Sequence, residues 1–441
     1  MNPLSIRLLP LVCLLAVTPK VLVAQILVPQ IPVPQFRALA PIAFDTSGPV
    51  LRAGAEPQMP FTVAGPHGVL LGGRNGSLEA WILPVKLFSN LTLEANIAGY
   101  PVPIDVNQHA ASIEVRPDRT IITYSHLGFT VRQIMFSPGG ESPAAGATAK
   151  EGAAGWRTGP VILYQFDCLH PTDFTFRFTP DLQWMWPARN EGVPGVEWEA
   201  HPFHSARSSA GLYILHTDYP DLAAAVTIPG AEPGILTPYQ ERPQVHPVEL
   251  RLHIDPARDN GRLFPLLMAV GTDPASATSA ALAQSLAELD AGLPSLYAAH
   301  ARHYKDLLAH AVSISTPDAS LDEAFQWAVV SIEQLRTSVF EPAKCPPGLS
   351  GSLGPSVSSV ASAAAGPCSQ DPQEMAKQET ALVAGYYTSA DSTRPGFGWF
   401  FGRDALYSLY AVNGFGDFAL TRAELEFLIR RQRADGKIMH E

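Results

Sequence analysis

In the stretch Val248-Glu249-Leu250-Arg251-Leu252-His253-Ile254, apolar side chains alternate with charged or polar ones. Successive side chains of a strand point to opposite faces of a sheet, so this period of two is typical of a strand with one buried face. Phe174, Phe176 and Phe178 alternate with polar residues in the same way. Five further segments have strand-like patterns: residues 78–83, 120–124, 129–134, 161–168 and 212–217.

Turns rich in Pro and Gly separate these segments, and no amphipathic helix of useful length lies between them. This succession favours antiparallel strands over the alternating strands and helices of an α/β sheet. Residues 36–272 are therefore predicted to form an antiparallel β-sandwich domain.

The hydrophobic period changes to that of a helix in residues 273–312, which we predict to be a helical linker. Leu282, Leu286 and Leu289 begin the pattern. A break is expected at Gly292-Leu293-Pro294, because Gly and Pro weaken a helix interior. The pattern then resumes at six positions: Leu296, Tyr297, His300, Tyr304, Leu307 and Leu308.

Further helices are predicted in residues 313–441. Ser320 and Glu323 have the spacing of a capping box at a helix start. Two later helices are expected at about residues 405–412 and 418–433, the second begun by Asp417 and ended near Gly436. The first of the three has one apolar stripe, formed by Leu321, Ala324, Phe325, Ala328, Ile332 and Leu335.

The composition is that of a globular protein with an acidic surface. The chain has 441 residues, enough for two or three domains, and 46% of them are hydrophobic, which is ample for buried cores. Its formal net charge is −11, with no long acidic run. No basic patch stands out, so nucleic acid is not an expected partner.

The first residues have the pattern of a secretory signal peptide. Arg7 precedes an apolar core at residues 8–17, and Leu22-Val23-Ala24 has the small-residue end of a cleavage site. The apolar core is short for a membrane span, so a retained anchor is the lesser reading. Removal of residues 1–24 predicts a secreted or periplasmic protein with no stable membrane anchor.

Three cysteines would remain after export. Cys168 alternates in phase with apolar residues and is predicted to be a buried core thiol. Cys345 and Cys368 bracket a segment in which 18 of 22 residues are Gly, Pro, Ser or Ala. Residues 345–370 are expected to be mobile, and the two cysteines could form a disulfide in an oxidising compartment. No metal site is expected, because no CxxC pair or His-rich segment accompanies them, and no cofactor is expected.

The long connection between the first two of these later helices ends in an aromatic and Gly-rich run, Pro395-Gly396-Phe397-Gly398-Trp399-Phe400-Phe401-Gly402-Arg403-Asp404. Aromatic faces cover the apolar faces of a sugar ring, and charged groups form strong hydrogen bonds to its hydroxyls. A plainer interpretation makes Asp404 an N-cap, Arg403 its surface partner and the aromatic residues core filler.

The segment Trp399-Phe400-Phe401-Gly402-Arg403-Asp404 resembles the W-x-x-(G/T)-R-D segment of six-hairpin (α/α toroid) glycosidases, in particular glucoamylases and the amylo-α-1,6-glucosidase part of glycogen-debranching enzymes. Residues 435–441 resemble the D-G-x-I-x-H-E stretch of the debranching-like group. The resemblance implies that Arg403 and Asp404 bind sugar hydroxyls and that Trp399 forms part of the pocket wall. An oligo- or polysaccharide is the implied substrate.

The front of the chain carries a weaker resemblance. Residues 76–84, with Arg116-Pro117 and Tyr124 downstream, look like the supersandwich-type domain that precedes such toroids in bacterial proteins. Glu79 and Trp81 would suit a sugar site, but they share one strand face with Leu83. Core packing or domain contact is therefore the favoured role of both residues.

The chain departs from the family pattern in its helical part. Six hairpins need more helices than the three counted before Glu441, so the resemblance implies an incomplete (α/α)6 toroid and a truncated chain. The general acid and base of such enzymes would lie after the third helix, and no catalytic residue is nominated here. Asp391, Glu424 and Glu426 are interpreted as solvated or capping charges.

Three functions fit these observations. The first is an inverting, exo-acting glycoside hydrolase of α-glucosidic bonds, with this chain alone inactive. The second is a disaccharide phosphorylase, which replaces water with phosphate. The third is a non-catalytic carbohydrate-binding protein, although such a module needs neither the linker helices nor the Arg403-Asp404 loop.

Overall fold

The computed structural model describes residue 39 and residues 41–139, 159–185, 195–200, 211–234, 247–339, 379–389 and 393–440. The expected leader, Cys345, Cys368, Asp391 and Glu441 lie outside these residues, so the structure does not test the predictions made for them.

Antiparallel strands account for most of the described residues before residue 272. The strands in the first part are β1 Leu51–Gly54, β2 Pro60–Gly65, β3 Gly68–Gly73, β4 Leu78–Ile82, β5 Val85–Ile97, β6 Ile104–Asp105, β7 Ala110–Arg116, β8 Arg119–His126 and β9 Phe129–Phe136. The following strands are β10 Val161–Cys168, β11 Thr172–Trp184, β12 Gly195–Ala200, β13 Gly211–His216, β14 Ala223–Thr227, β15 Glu232–Pro233, β16 Val248–Ile254 and β17 Leu263–Gly271.

These strands form two sheets. The nine-stranded sheet has the order β1-β7-β8-β9-β10-β17-β14-β13-β12, and the eight-stranded sheet has the order β15-β16-β11-β5-β4-β3-β2, with β6 beside β5. The pairs are antiparallel throughout, as in the register of Phe176 opposite Leu250. The predicted antiparallel strands are confirmed, and β16 shows the alternating burial that its sequence predicts.

The inner faces of the two sheets share one hydrophobic core. Tyr164 of the nine-stranded sheet packs edge-on against Phe176 of the eight-stranded sheet, with ring centroids 4.8 Å apart. Phe166 and Phe174 make a similar contact at 4.3 Å. The Cys168 side chain is buried in the same core, as predicted. The alternation of apolar residues along each strand therefore supplies both halves of the core.

Helix α1 (Pro256–Asp259) is a single turn, whereas helix α2 (Ser279–His310) is long and continuous. The predicted break at Gly292-Leu293-Pro294 is therefore wrong, because Pro294 lies inside the helix. A proline costs a helix interior about 3 kcal/mol. Leu293 and Tyr297 are almost fully buried, and each gains about 1.5–3 kcal/mol from burial, which offsets that cost.

The buried face of α2 packs on the outer face of the nine-stranded sheet. Leu282, Leu286 and Leu289 join a cluster with residues of β10, β14 and β17. At the other end of this contact, Arg119 Nη1 donates hydrogen bonds to Asp118 Oδ2 at 2.8 Å and to the Tyr297 hydroxyl at 3.0 Å. The linker helix is thus attached to the sandwich along most of its length.

Helix α3 (Ala319–Glu333) begins before the predicted capping box. Its N-cap is Asp318, whose Oδ1 accepts the Ser320 backbone N–H at 2.9 Å. The prediction that Ser320 begins this helix is therefore wrong, because an equally good cap occurs two residues earlier. Leu321 of the predicted stripe is exposed, while Phe325 and Ile332 pack against α4 and its neighbours.

A two-stranded sheet of β18 (Arg336–Val339) and β19 (Glu379–Leu382) precedes the last two helices, α4 (Gly402–Phe415) and α5 (Phe418–Arg430). Asp417 caps α5 as predicted, since its Oδ1 accepts the Leu420 N–H at 2.9 Å. Helix α5 ends at Arg430 rather than Arg433. Within the described residues, no helix is long and apolar enough to cross a membrane.

Candidate functional site

Backbone hydrogen bonds hold the aromatic run that precedes Arg403 and Asp404 against residues 384–387, which follow β19. Ala384 N–H donates to the Trp399 carbonyl at 3.1 Å, and Gly385 N–H donates to the Phe397 carbonyl at 3.2 Å. Gly396 has a φ of +64°, a conformation that favours glycine. We call residues 384–389 together with 395–401 the site loop. It leads directly into α4.

Arg403 and Asp404 lie in the first turn of α4. The helix N-cap is Phe401, which makes no side-chain capping bond, so Asp404 is not the N-cap. The side chains of Arg403 and Asp404 are 67% and 41% exposed, and Arg403 Nη2 lies 3.5 Å from Asp404 Oδ2. This separation leaves both groups able to hydrogen bond to a ligand. The negative charge of Asp404 also suits the positive end of the helix dipole.

Trp399 occupies a different position from this charged pair. Its ring is partly buried and packs against two apolar clusters, one on the β2–β4 face of the sandwich and one containing Phe400 and Phe427. The structure therefore places Trp399 in the wall between the sandwich and the helices. Arg403 and Asp404 lie on the exposed side of the helix start.

Other aromatic and basic side chains surround the start of α4, and the sequence reasoning did not single them out. Phe401 lies under the Arg394 guanidinium at 5.7 Å, and its ring is 6.2 Å from that of Phe397 and 5.8 Å from that of His440. Phe397 is exposed. Phe397 and Phe401 belong to the aromatic run seen in the sequence, whereas Arg394 and His440 lie outside it. Phe397 adds an exposed ring close to the start of α4.

Close backbone packing at Gly402 brings the chain end to this site. Gly402 N–H donates to the His440 carbonyl at 3.1 Å, and a Cβ at Gly402 would overlap the Met439 carbonyl oxygen. Only glycine allows this approach. The described residues 435–440 of one segment that carries the family resemblance are thus adjacent to the other such segment, residues 399–404.

Glu79 and Trp81 connect the sandwich with the site loop. Glu79 Oε1 accepts the Trp81 indole N–H at 3.0 Å and the Ser389 backbone N–H at 2.8 Å. Glu79 Oε2 accepts the Ser389 hydroxyl at 2.7 Å. The predicted role in core packing or domain contact is confirmed. Ser389 and the neighbouring Lys86, which lies 3.6 Å from Glu79 Oε2, were not foreseen.

Glu424 of α5 is not a solvated or capping charge, and that interpretation is wrong. Its side chain is 0% exposed, and its Oε2 accepts the Leu382 backbone N–H at 2.6 Å. Its Oε1 has no hydrogen-bond partner among the described residues. Burial raises the pKa of Glu424 to about 7, although the Leu382 bond and Arg431 oppose the shift. By contrast, Glu426 is exposed beside Arg430, as expected.

A buried carboxylate joins the linker to the later helices. Glu333 of α3 accepts from Arg336 Nε at 2.9 Å and contacts His303 Nε2 at 2.8 Å. Arg336 also donates to Asp417, the N-cap of α5, at 2.6 Å. These contacts connect α2, α3, β18 and α5, and so they help to position the strand that precedes the site loop.

In the part of the chain that the structure describes, neither a candidate metal centre nor the cavity of about 300 Å³ includes Arg403 or Asp404. Among the described residues, no group of three His, Cys, Asp or Glu side chains could hold a metal ion. A cavity of about 300 Å³ lies between α2, α3 and the segment before β1, where Asp45, Tyr304 and Lys305 line it. The side chains of Arg403 and Asp404 are exposed at a separate place from this cavity.

Comparisons with known proteins find structural neighbours only. No protein-family model matches the chain, and no curated protein matches it. A crystal structure of a bacterial glucoamylase complexed with acarbose is similar over 92% of this chain and 54% of its own, with 10% sequence identity and a TM-score of 0.53. A kojibiose phosphorylase from the human microbiome is similar over 69% of this chain and 43% of its own, with 9% identity and a TM-score of 0.40.

The glucoamylase comparison concerns the fold alone. At the level of the fold, the similarity to the bacterial glucoamylase agrees with the resemblance to glucoamylases that the sequence predicts. The chain spans about half the length of the glucoamylase structure that it matches. The phosphorylase likeness is too weak to carry an argument.

Proposed function

We propose that this chain is the sandwich and the first toroid helices of a carbohydrate-active enzyme, a glycoside hydrolase of α-glucosidic bonds with debranching or glucoamylase-like activity. The fold of a bacterial glucoamylase over most of the chain supports this proposal. The acarbose bound by that glucoamylase supports an oligosaccharide as the ligand here. Fold alone does not determine function, so the proposal depends on the residues at the start of α4.

The exposed Arg403–Asp404 pair is the observation that carries the proposal. The pair lies in the first turn of a helix whose N-cap makes no side-chain bond, and it directly follows the half-buried Phe401, whose ring contacts the exposed Phe397. Charged groups form hydrogen bonds of about 1.5–3 kcal/mol, and ring faces cover the apolar side of a sugar. Arg403 and Asp404 would bind vicinal hydroxyls, and Trp399 would form the wall behind them.

No general acid or base is assigned within this chain. Hydrolysis needs a carboxylic acid that protonates the leaving oxygen and a carboxylate that activates water. In the six-hairpin enzymes that the chain resembles, both follow the third helix. Glu424, the one carboxyl group in α5 with a raised pKa, lies in the core and accepts a backbone N–H. We propose that it has a structural role rather than a catalytic one.

Export is part of the same proposal. A leader at residues 1–24 would deliver the protein outside the cytoplasm, where polysaccharide substrates occur. The mature protein should begin near Gln25, and N-terminal sequencing of the purified protein measures this directly. Retention of Met1 would contradict export.

Binding of acarbose by this chain tests the site. Asp404→Asn should raise the dissociation constant by about 10–100-fold, which corresponds to the loss of one charge-assisted hydrogen bond. Asp173 of β11 is the matched control, since its side chain is 62% exposed and lies 2.6 Å from His253 Nδ1 on the sandwich. Asp173→Asn should leave acarbose binding unchanged in isothermal titration calorimetry.

Two results would decide against the proposal. Equal acarbose affinity of the wild type and Asp404→Asn, with a lower melting temperature of the variant, would show that Asp404 acts only on the helix dipole. Turnover of an α-glucosidic disaccharide that requires inorganic phosphate, in a protein with the toroid complete, would favour a phosphorylase over a hydrolase.

A further inference from the structure

The contact between Glu79 and Ser389 joins a sandwich strand to the loop that carries the proposed sugar site. We propose that Glu79 is a positioning residue, which holds the site loop and thereby the start of α4 in the geometry that binds sugar. This inference rests on the proposed function. It makes the sandwich a working part of the sugar site rather than a separate module.

Glu79 is built into this contact with little freedom. The residue is 7% exposed, and its two oxygens accept three hydrogen bonds of 2.7–3.0 Å from Trp81 and Ser389. Lys86, itself buried, balances the charge from 3.6 Å and lies 3.2 Å from Asp181. A buried carboxylate needs such donors and a cation, because desolvation otherwise favours its neutral form. Because two of the three donors belong to Ser389, the Glu79 carboxylate determines where Ser389 lies.

The site loop meets the sandwich at further points around this contact. Tyr386 and Trp399 pack against the apolar cluster around Trp81, and the Tyr386 hydroxyl is 2.9 Å from Thr337 Oγ1. Ser338 of β18 donates its N–H to the Pro66 carbonyl at 2.8 Å. The contacts of the Tyr386 and Trp399 rings with the sandwich are apolar, and the Ser338 hydrogen bond lies on β18, before the site loop begins. Glu79 supplies a charged anchor at Ser389, the end of the first half of the loop.

A displacement of Ser389 would move Arg403 and Asp404 through the backbone of the site loop. Residues 384–387 pair with residues 395–399 through three backbone hydrogen bonds, including Tyr387 N–H to the Pro395 carbonyl at 3.4 Å. Residue 399 is followed without a break by Phe400, Phe401 and the first turn of α4. Loss of the anchor would loosen this ladder first, and Arg403 and Asp404 would then lose their orientation relative to the wall formed by Trp399.

Hydrogen exchange on the whole chain tests the positioning role without any ligand. Glu79→Ala should speed amide exchange in residues 384–389 and 395–404 by about tenfold or more, while β10 and β17 remain protected. Glu79→Gln keeps the side-chain shape and an acceptor oxygen, and should restore most of the protection. Ser389→Ala removes one bond and leaves the sandwich untouched, so it serves if Glu79→Ala does not fold.

Acarbose titration of the same variants measures the consequence for binding. Glu79→Ala should raise the dissociation constant of acarbose by about tenfold, and Glu79→Gln and Ser389→Ala should each have a smaller effect. The double variant Glu79→Gln/Ser389→Ala should change the free energy of acarbose binding by less than the sum of the two single changes, because both substitutions act on one contact. Glu197→Gln, an exposed carboxylate on β12, is the control that should change neither measurement.

The two proposals fail in different ways. Unchanged exchange in residues 384–404 of Glu79→Ala would overturn the positioning role, as would faster exchange with unchanged acarbose affinity. If the wild type does not bind acarbose, the proposed function fails. The exchange at residues 395–404 then still decides whether Glu79 determines the geometry of the loop and of the start of α4.

Discussion

Substitution of the buried Glu424 should change how the stability of the helical part depends on pH. In the folded chain, burial raises the pKa of Glu424 to about 7, compared with an ordinary value of 4.5. The folded state therefore binds the proton more tightly than the unfolded state. Stability from this group is fully present below pH 4.5 and is lost as the pH rises to about 7.

The size of this effect follows from the two pKa values. Their difference corresponds to about 3 kcal/mol of unfolding free energy between the fully protonated and the fully ionised limits. Between about pH 5.5 and pH 8 the loss should be about 2 kcal/mol. Glu424→Gln removes the titration and keeps an oxygen that can accept the Leu382 N–H. Its buried amide nitrogen adds a penalty that does not vary with pH.

Thermal unfolding followed by far-UV circular dichroism reports on the helices and measures this dependence. The wild type should lose stability relative to Glu424→Gln as the pH is raised through this range. Glu426→Gln is the matched control, because Glu426 lies two residues away on the same helix and is 54% exposed. Parallel pH profiles for the wild type and Glu424→Gln would refute the argument that Glu424 is buried and protonated in the folded chain.

Three other predictions follow from the structure. Burial raises the pKa of the Cys168 thiol to about 11, so this thiol should resist iodoacetamide at neutral pH until the protein unfolds. Alkylation at Cys168 in the native protein, located by peptide mass spectrometry, would show that this position of β10 is not buried. Gly76→Ala should lower the free energy of unfolding by more than about 2 kcal/mol, because Gly76 has a φ of +82° and a Cβ there would overlap the Tyr124 hydroxyl; a urea titration with an unchanged midpoint would contradict this. Cys345 and Cys368 should appear as one linked peptide in a non-reduced digest analysed by mass spectrometry, and two free thiols would exclude the bridge.

The strands were the most predictable part of this fold. Residues 161–168 and 248–254 have the bounds that their sequence patterns predict, and in β16 the alternation of apolar and polar residues coincides with one buried face. The start of α5 at Asp417 was equally readable from its cap. Local patterns of this kind need no knowledge of distant contacts.

The errors fall where tertiary contacts outweigh local preference. Pro294 ends a helix by local rules, yet Leu293 and Tyr297 are buried on both sides of it and keep α2 continuous. Glu424 has the sequence context of a surface residue, and only the approach of Leu382 shows that it is buried. The charged pair at the start of α4 was identified from its motif. Lys86, which lies beside Glu79 in the proposed support of this pair, is far from it in sequence and carries no local signal.

The bond between Glu79 and Ser389 also has a meaning for biosynthesis, because it spans 310 residues of the chain. A ribosome adding about 5–20 residues per second needs roughly 15–60 s to deliver Ser389 after Glu79 has emerged. During that interval the apolar cluster around Trp81 lacks the Tyr386 and Trp399 rings that later cover it. The nascent sandwich therefore exposes an apolar surface around Trp81. We expect holdase chaperones, which bind exposed apolar segments, to bind this surface until the site loop is synthesised.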